Sequence, residues 1–220
     1  RRRRDRSAPA GHPEHEGRPL IRRVGLLDYG SGNLHSAARA FRDAGAEVIV
    51  SADHEELLRQ DGLVVPGVGA FAACMAGIER VGGDALIRAW ARAERPLLGI
   101  CVGHQVLFAA GHEHGTRSRG IGLHDGEVTA LDAQRLPHMG WNTVQAPEGS
   151  ALFRGIEGER FYFVHSYAAA VGPSDALVTT ARHEDATFVA AVERGHVAST
   201  QFHPEKSGAA GARLIANWLG

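Results

Sequence analysis

Cysteine is scarce in this chain: Cys74 and Cys101 are the only two among 220 residues. That excludes a disulfide framework and suits a reducing, cytosol-like compartment, so a cytoplasmic location is expected. No apolar run approaches the roughly 20 residues needed to cross a bilayer, which argues against a membrane role. An excess of charge of one sign is lacking too. The formal net charge is −1, so no broad basic field points to nucleic acid. What is present is the composition of a globular protein, 44% hydrophobic and 22% charged, in a length that suits one domain with a substantial core.

The first 22 residues, RRRRDRSAPAGHPEHEGRPLIR, differ from the rest. They carry a basic start and prolines but no apolar segment of the kind a secretory signal needs. The arginines would fit a transit peptide, against which Asp5, Glu14 and Glu16 speak. The expectation is a disordered extension over 1–22, followed by one domain over 23–220.

From Val24 onward, short apolar runs alternate with helical patterns. VGLLDY (24–29), EVIVS (47–51), LVVPG (63–67) and PLLGI (96–100) read as strands. Between them, Leu34, Ala37, Ala38 and Phe41 fall on one helical face that stops at Gly45. HEELLRQ (54–60) predicts a short helix, and an Ala-rich stretch to Arg95 predicts helix broken at Gly82-Gly83. This order predicts an α/β fold, a mostly parallel sheet flanked by helices. The second half (EVTAL, NTVQA, RFYFVHSYAAA, ALVTTA, TFVAAVERG, HVASTQF) predicts an antiparallel extension of that sheet, and GAAGARLIANWLG a closing helix. There is no internal repeat and no linker long enough to divide the body.

Two segments carry chemistry. In LLGICVGHQ (97–105) a strand runs straight into Cys101, with Gly99 and Gly103 two positions either side and a helical pattern after it. Small residues at those positions are what a tight strand–turn–helix elbow requires. A thiol at a helix start is favoured as thiolate, and such sites bring a Cys pKa from about 8.5 to roughly 3.5–7.5. Taken alone, the motif equally fits a buried structural cysteine flanked by packing glycines. In STQFHPEKS (199–207), His203 and Glu205 stand two apart around Pro204. In an extended segment both side chains then point one way, so Glu205 can orient one ring nitrogen and leave the other for Cys101. Together they form a nucleophile, a base and an orienting carboxylate.

LLGICVGHQ and QFHPEKS resemble the triad (class I) glutamine amidotransferases, whose fold is flavodoxin-like. LDYGSGN (27–33), VPGVGAF (65–71), LPHMGWN (136–142) and YFVHSY (162–167) narrow the resemblance to the glutaminase subunits of imidazole glycerol phosphate synthases, from about Val24 to the C-terminus. The resemblance implies a glutaminase that hydrolyses L-glutamine to glutamate and ammonia through a γ-glutamyl thioester on Cys101, with His203 moving the proton and Glu205 orienting it. It implies oxyanion donors at Val102 and Val68. Glutamine would be contacted by Gly67, Gly69, Gln105, Glu113, His165, Ser166 and Tyr167. The partner would be a (β/α)₈-barrel cyclase in a heterodimer, facing Asn33, Met139 and Trp141. There the ammonia would meet a phosphoribulosyl-formimino aminoimidazole carboxamide nucleotide in L-histidine biosynthesis. A peptide flip near Val68 would switch such a site.

The chain departs from that pattern at His104, where the family often has Met, and at Ala109, where it often has an acidic residue. His104 would cap, pack or tune the elbow. GHEHG (111–115) invites a metal reading, but side chains two apart diverge on a helix, so no metal is expected unless the segment forms a loop. Gly30-Ser31-Gly32 has His35 where a dinucleotide loop needs its third glycine, so no cofactor is expected either. Cys74, in an Ala-rich helix, is expected to be packed and inert. Two rivals remain on sequence grounds: the glutaminase of another synthase or a free-standing γ-glutamyl hydrolase, and a catalytically silent module on the same fold.

Overall fold

The computed structural model describes residues 20–220. The expected extension therefore lies outside the described residues up to position 19. Its last two residues, Ile21 and Arg22, are joined to the body. Ile21 is only 5% exposed and donates its N–H to Leu219 O at 2.8 Å. The Arg22 N–H reaches Asp61 Oδ2 at 3.2 Å.

Four parallel strands occupy the first half: β1 (Arg23–Leu27), β2 (Glu47–Ser51), β3 (Gly62–Gly67) and β4 (Leu97–Cys101). β3 and β4 are buried at every position, as strands covered on both faces should be. The helices α1 (Leu34–Asp43), α2 (His54–Leu58), α3 (Phe71–Arg80) and α4 (Gly83–Arg92) connect them. Their ends are chemically marked. The Asn33 side chain accepts the Ser36 N–H to start α1, and Asp53 accepts the N–H groups of Glu55 and Glu56 to start α2. Gly82, at φ +66°, makes the break between α3 and α4 where the glycine pair predicts it.

After Cys101 the expected helix lasts one turn, α5 (Val102–Gln105), and the chain then turns into β5 (Phe108–Glu113). The carbonyls of Val106 and Phe108 are taken by the N–H groups of Ile121 and Gly122. Pairing across the sequence overrides the local helical pattern here. β5 joins β6 (Thr116–Arg119), β7 (His124–Ala130) and β10 (Tyr167–Ala169) in a separate four-stranded sheet, ordered β10-β7-β5-β6. A hairpin-like pair, β8 (His138–Thr143) and β9 (Arg160–His165), forms a third sheet.

The antiparallel extension is accordingly shorter than the sequence suggests. Only β11 (Leu177–His183) and β12 (Ala186–Arg194) extend the main sheet, beside β13 (Val197–Thr200), which itself runs parallel to β4. The order is β11-β12-β13-β4-β3-β1-β2. α6 (Gly208–Leu219) closes the chain against α1, with the Phe41 and Trp218 rings edge to face at 5.7 Å. The neighbouring strands β3, β4 and β13 all end on the same edge of the sheet, and the candidate site lies there.

Candidate active site

The elbow forms because two glycines let backbone meet backbone. A Cβ on Gly103 would lie 1.8 Å from Val65 O, and one on Gly99 would lie 2.7 Å from Gly103 O. Between them Cys101 adopts φ 56°, ψ −113°, a conformation that a side-chain-bearing residue holds only when its surroundings impose it. The residue is 4% exposed and lines a cavity of about 220 Å³. α5 offers the thiol the free N–H groups of a single helical turn, less than the longer helix expected.

His203 lies just beyond β13, its N–H donated to Tyr162 O at 3.0 Å. The extended conformation stops at this residue, and Pro204–Lys206 forms a 3₁₀ turn instead. That turn still delivers Glu205: His203 Nδ1–H donates to Glu205 Oε1 at 2.7 Å, and both side chains are buried. Nε2 has no hydrogen-bond partner among the described residues and stands beside the Cys101 thiol. Burial is the largest influence on the ring and disfavours its charge. The neighbouring Cys101 sulfur and the Glu205 carboxylate, which accepts Nδ1–H, more than offset it, raising the pKa to about 9. His203 therefore stands beside Cys101 as imidazolium at neutral pH.

The segment after β3 faces this pair. The Val68 N–H donates to Ser31 Oγ at 3.5 Å, while the Val68 carbonyl accepts from Ser31 Oγ at 2.9 Å and from Cys74 Sγ at 3.3 Å. Two residues earlier, Pro66 O accepts from Tyr29 Oη at 2.6 Å. Gly67 lies against the elbow, where a Cβ would come 2.6 Å from Gly103 N. Cys74 is buried as expected, and burial raises its pKa. Its thiol nevertheless touches the segment expected to supply an oxyanion donor.

The cavity walls contain Val68, Gly69, Val102, Gln105, Glu113, His165, Ser166 and Tyr167, besides Cys101 and His203. Gln105 Nε2 donates to Tyr167 O (2.8 Å) and to Gln201 Oε1 (3.0 Å). Glu113 Oε2 accepts the Phe71 N–H at 2.9 Å, capping α3, which has no side-chain cap of its own.

A family model for "Glutamine amidotransferase class-I" matches residues 25–219. The chain belongs to the class-I glutamine amidotransferase family. It is 60% identical to imidazole glycerol phosphate synthase subunit HisH of Cutibacterium acnes over 198 residues, covering 90% of this chain and 96% of that one. The HisH subunit of Corynebacterium diphtheriae is 52% identical, with 90% and 99% covered. Among solved structures, one described as glutamine amidotransferase superposes with a TM-score of 0.71 at 21% identity, covering 89% of this chain and 96% of that one. PurLQS from Thermotoga maritima gives 0.68 at 18%, covering 91% and 98%. These two structural likenesses bear on the fold.

Within this family member the remaining residues fall outside the cavity. Asn33 caps α1. Met139 and Trp141 project from β8, 63% and 48% exposed. His104 turns into the core, its Nδ1 paired with Ser199 Oγ at 2.7 Å and its ring edge-on to Phe108. Burial drives its pKa well down, so it brings no charge to the elbow. In GHEHG, His112 pairs with Glu127 at 2.6 Å while His114, at φ +49°, turns toward the Tyr167 ring. Among the described residues no group of three or more His, Cys, Asp or Glu is placed to hold a metal ion. Likewise, no described helix is long and apolar enough to cross a membrane.

Sequence reading passes over Tyr29, Gln201 and the part Ser31 plays. Tyr29 and Ser31 stand inside the quoted LDYGSGN motif, which was the available signal. Nothing local to Gln201 announces its bond to Gln105, 96 positions away.

Proposed function

We propose that the chain hydrolyses L-glutamine to glutamate and ammonia with Cys101, His203 and Glu205, and serves as the glutaminase subunit of imidazole glycerol phosphate synthase in L-histidine biosynthesis. The observation that carries this reading is the elbow thiol opening into a cavity beside a buried His203–Glu205 pair. The Cys101 sulfur attacks the side-chain carbonyl carbon of glutamine. The developing oxyanion is met by the Val102 N–H and by the Val68 N–H once that leaves Ser31. Imidazolium Nε2–H gives its proton to the departing nitrogen, ammonia leaves, and a γ-glutamyl thioester remains. The now neutral ring takes a proton from water, whose oxygen adds to the thioester; collapse releases glutamate and restores the thiolate. Glutamate 205 keeps Nδ1–H fixed throughout.

Gln105 and the chain at His165, Ser166 and Tyr167 hold the substrate's polar groups in this scheme, and Glu113 pairs with its ammonium. Gly69, with nothing within 4 Å of where its Cβ would be, leaves room for the substrate, whereas Gly67, expected beside it, packs against the elbow and lies outside the cavity lining. The names of the HisH relatives support a partner subunit. We assign that role to a (β/α)₈-barrel cyclase in a heterodimer, seated on the face bearing Asn33, Met139 and Trp141, with exposed aromatic and Met anchors as its basis. Two free thiols, Cys74 and Cys101, suit a reducing cytoplasm. The test is ammonia release from glutamine by the chain alone, then with the cyclase and its nucleotide ligand. Stimulation by partner and nucleotide is expected. Activity that is indifferent to both would favour a free-standing hydrolase, and none in either setting a silent module.

A further inference from the structure

The six-residue strand β8 presents alternate side chains to opposite sides, and its inner residues, His138 and Asn142, have no part in the catalytic scheme above. Asn142 Oδ1 accepts the Thr143 N–H (2.9 Å), which fixes its amide orientation. Its Nδ2 group then donates one proton to Arg182 O (2.8 Å) and the other to His138 Nε2 (3.2 Å). His138 must therefore carry its proton on Nδ1, and gives it to His165 Nε2 at 2.9 Å. His165 in turn carries its proton on Nδ1 and donates to Tyr167 O at 3.0 Å. The two ends agree, because both are carbonyls that only accept. Tyr167 O is the atom that also receives Gln105 Nε2–H in the cavity wall.

We propose that His138 and Asn142 are positioning residues for glutamine. Their one-way hydrogen-bond chain locks His165 as the neutral Nδ1–H tautomer and thereby fixes the Tyr167 carbonyl on which Gln105 is held. The inference rests on the reading of the cavity as a glutamine site. Around the chain stand His183, stacked on His138 at 4.3 Å, with Phe163 and Phe188, and His203 beside His165. Among the described residues no carboxylate is bonded to either ring to favour a second proton. Burial first, then neighbouring imidazoles, brings His138 to about 4 and His165 to about 3. A neutral His165 also spares the His203 imidazolium a neighbouring charge.

The experiment pairs two variants of matched branching in the full chain, assayed as the partner complex. His138→Asn keeps an N–H where Nδ1–H was; His138→Leu does not. Both lose the same ring packing. We expect His138→Asn to hold the KM for glutamine within about threefold, and His138→Leu to raise it about tenfold or more, as for an orphaned buried acceptor. Alkylation of Cys101 by iodoacetamide should be alike in both. Equal KM values in the two variants would overturn the proposal. Nitrogen NMR of the unsubstituted chain, labelled in histidine, decides the matter without any activity or stable variant. His138 and His165 should appear as Nδ1–H tautomers that do not titrate between pH 5 and pH 8. Either ring as the Nε2–H tautomer, or titrating in that range, would sink the chain even if glutamine hydrolysis is confirmed. Absence of hydrolysis with both tautomers as expected would leave the chain standing and overturn the glutamine reading.

Discussion

At the elbow the backbone is wedged in place: a single methyl on Gly103 would strike Val65 O at 1.8 Å. The 67–69 segment opposite is held differently. Val68 is 41% exposed, Gly69 has nothing within 4 Å of where its Cβ would be, and the Val68 peptide groups rest on Ser31 and Cys74 side chains. One side of the site is positioned by close packing, which yields only at a cost of several kcal/mol, and the other by hydrogen bonds each worth about 1 kcal/mol net. Cys101 is thus the fixed element and the 67–69 segment the adjustable one. A switch of activity belongs on the adjustable side.

Four substitutions sharpen or break that contrast. Cys101→Ala should lower glutamine hydrolysis on the order of 10⁶-fold with the fold retained, since the nucleophile works as a unit with its base. Surviving glutamine-dependent activity would refute the thioester route.

Glu205→Gln keeps the shape but withdraws the charge, and a loss of about 10²–10⁴ in kcat is expected. The same variant tests the electrostatics. His203 is raised in the fold from 6.5 to about 9, so its stabilising contribution is complete below pH 6.5 and is lost as pH rises through about 9. Unfolding free energy should fall across that window, and Glu205→Gln should flatten the fall; urea titrations at several pH values measure both.

Gly103→Ala tests the wedge itself. Moving the elbow by about 1 Å should lower activity roughly 10²-fold, and relief of the clash should cost about 3 kcal/mol of stability. A neutral outcome in both assays would show that the elbow is as soft as the segment facing it.

The smallest effect is expected for Ser31→Ala. The Val68 N–H loses a long bond of 3.5 Å, which leaves it free for the oxyanion. Hydrolysis by the isolated chain should rise by about three- to tenfold, the range that one weak hydrogen bond can hold back. A fall in rate would instead mean that Ser31 holds Val68 in its working orientation.

The elbow and the His203–Glu205 contact were legible because sterics confine them to a few neighbouring residues. Gly99, Cys101 and Gly103 carry their requirement in their spacing. His203 and Glu205 are two apart, so they meet whether the chain continues extended or curls; the prediction of an extended segment was wrong, but the contact survived. β5 and β6 were hidden for the opposite reason. LFAAGHE reads as the continuation of a helix until the chain from 116 to 124 supplies partners for its carbonyls. A partnership such as Gln105 with Gln201, 96 positions apart, depends on which strand ends share a sheet edge, and no local pattern states that. Residues expected at the interface differ in what holds them. Met139 and Trp141 are exposed on β8, whereas the Asn33 side chain is engaged in starting a helix.

The alternation along β8 has a consequence for how this chain can change. Met139 and Trp141 point outward while His138 and Asn142 point inward, and the pattern survives only if the count of residues between them does. A single insertion or deletion in HMGWN would turn the indole toward the histidine cluster and put imidazole in its place outside. Point substitutions can retune the outer face one side chain at a time, whereas a change in length would disturb both faces at once. Grafts or natural variants that alter this surface should therefore tolerate replacements at 139 and 141 but not changes in strand length.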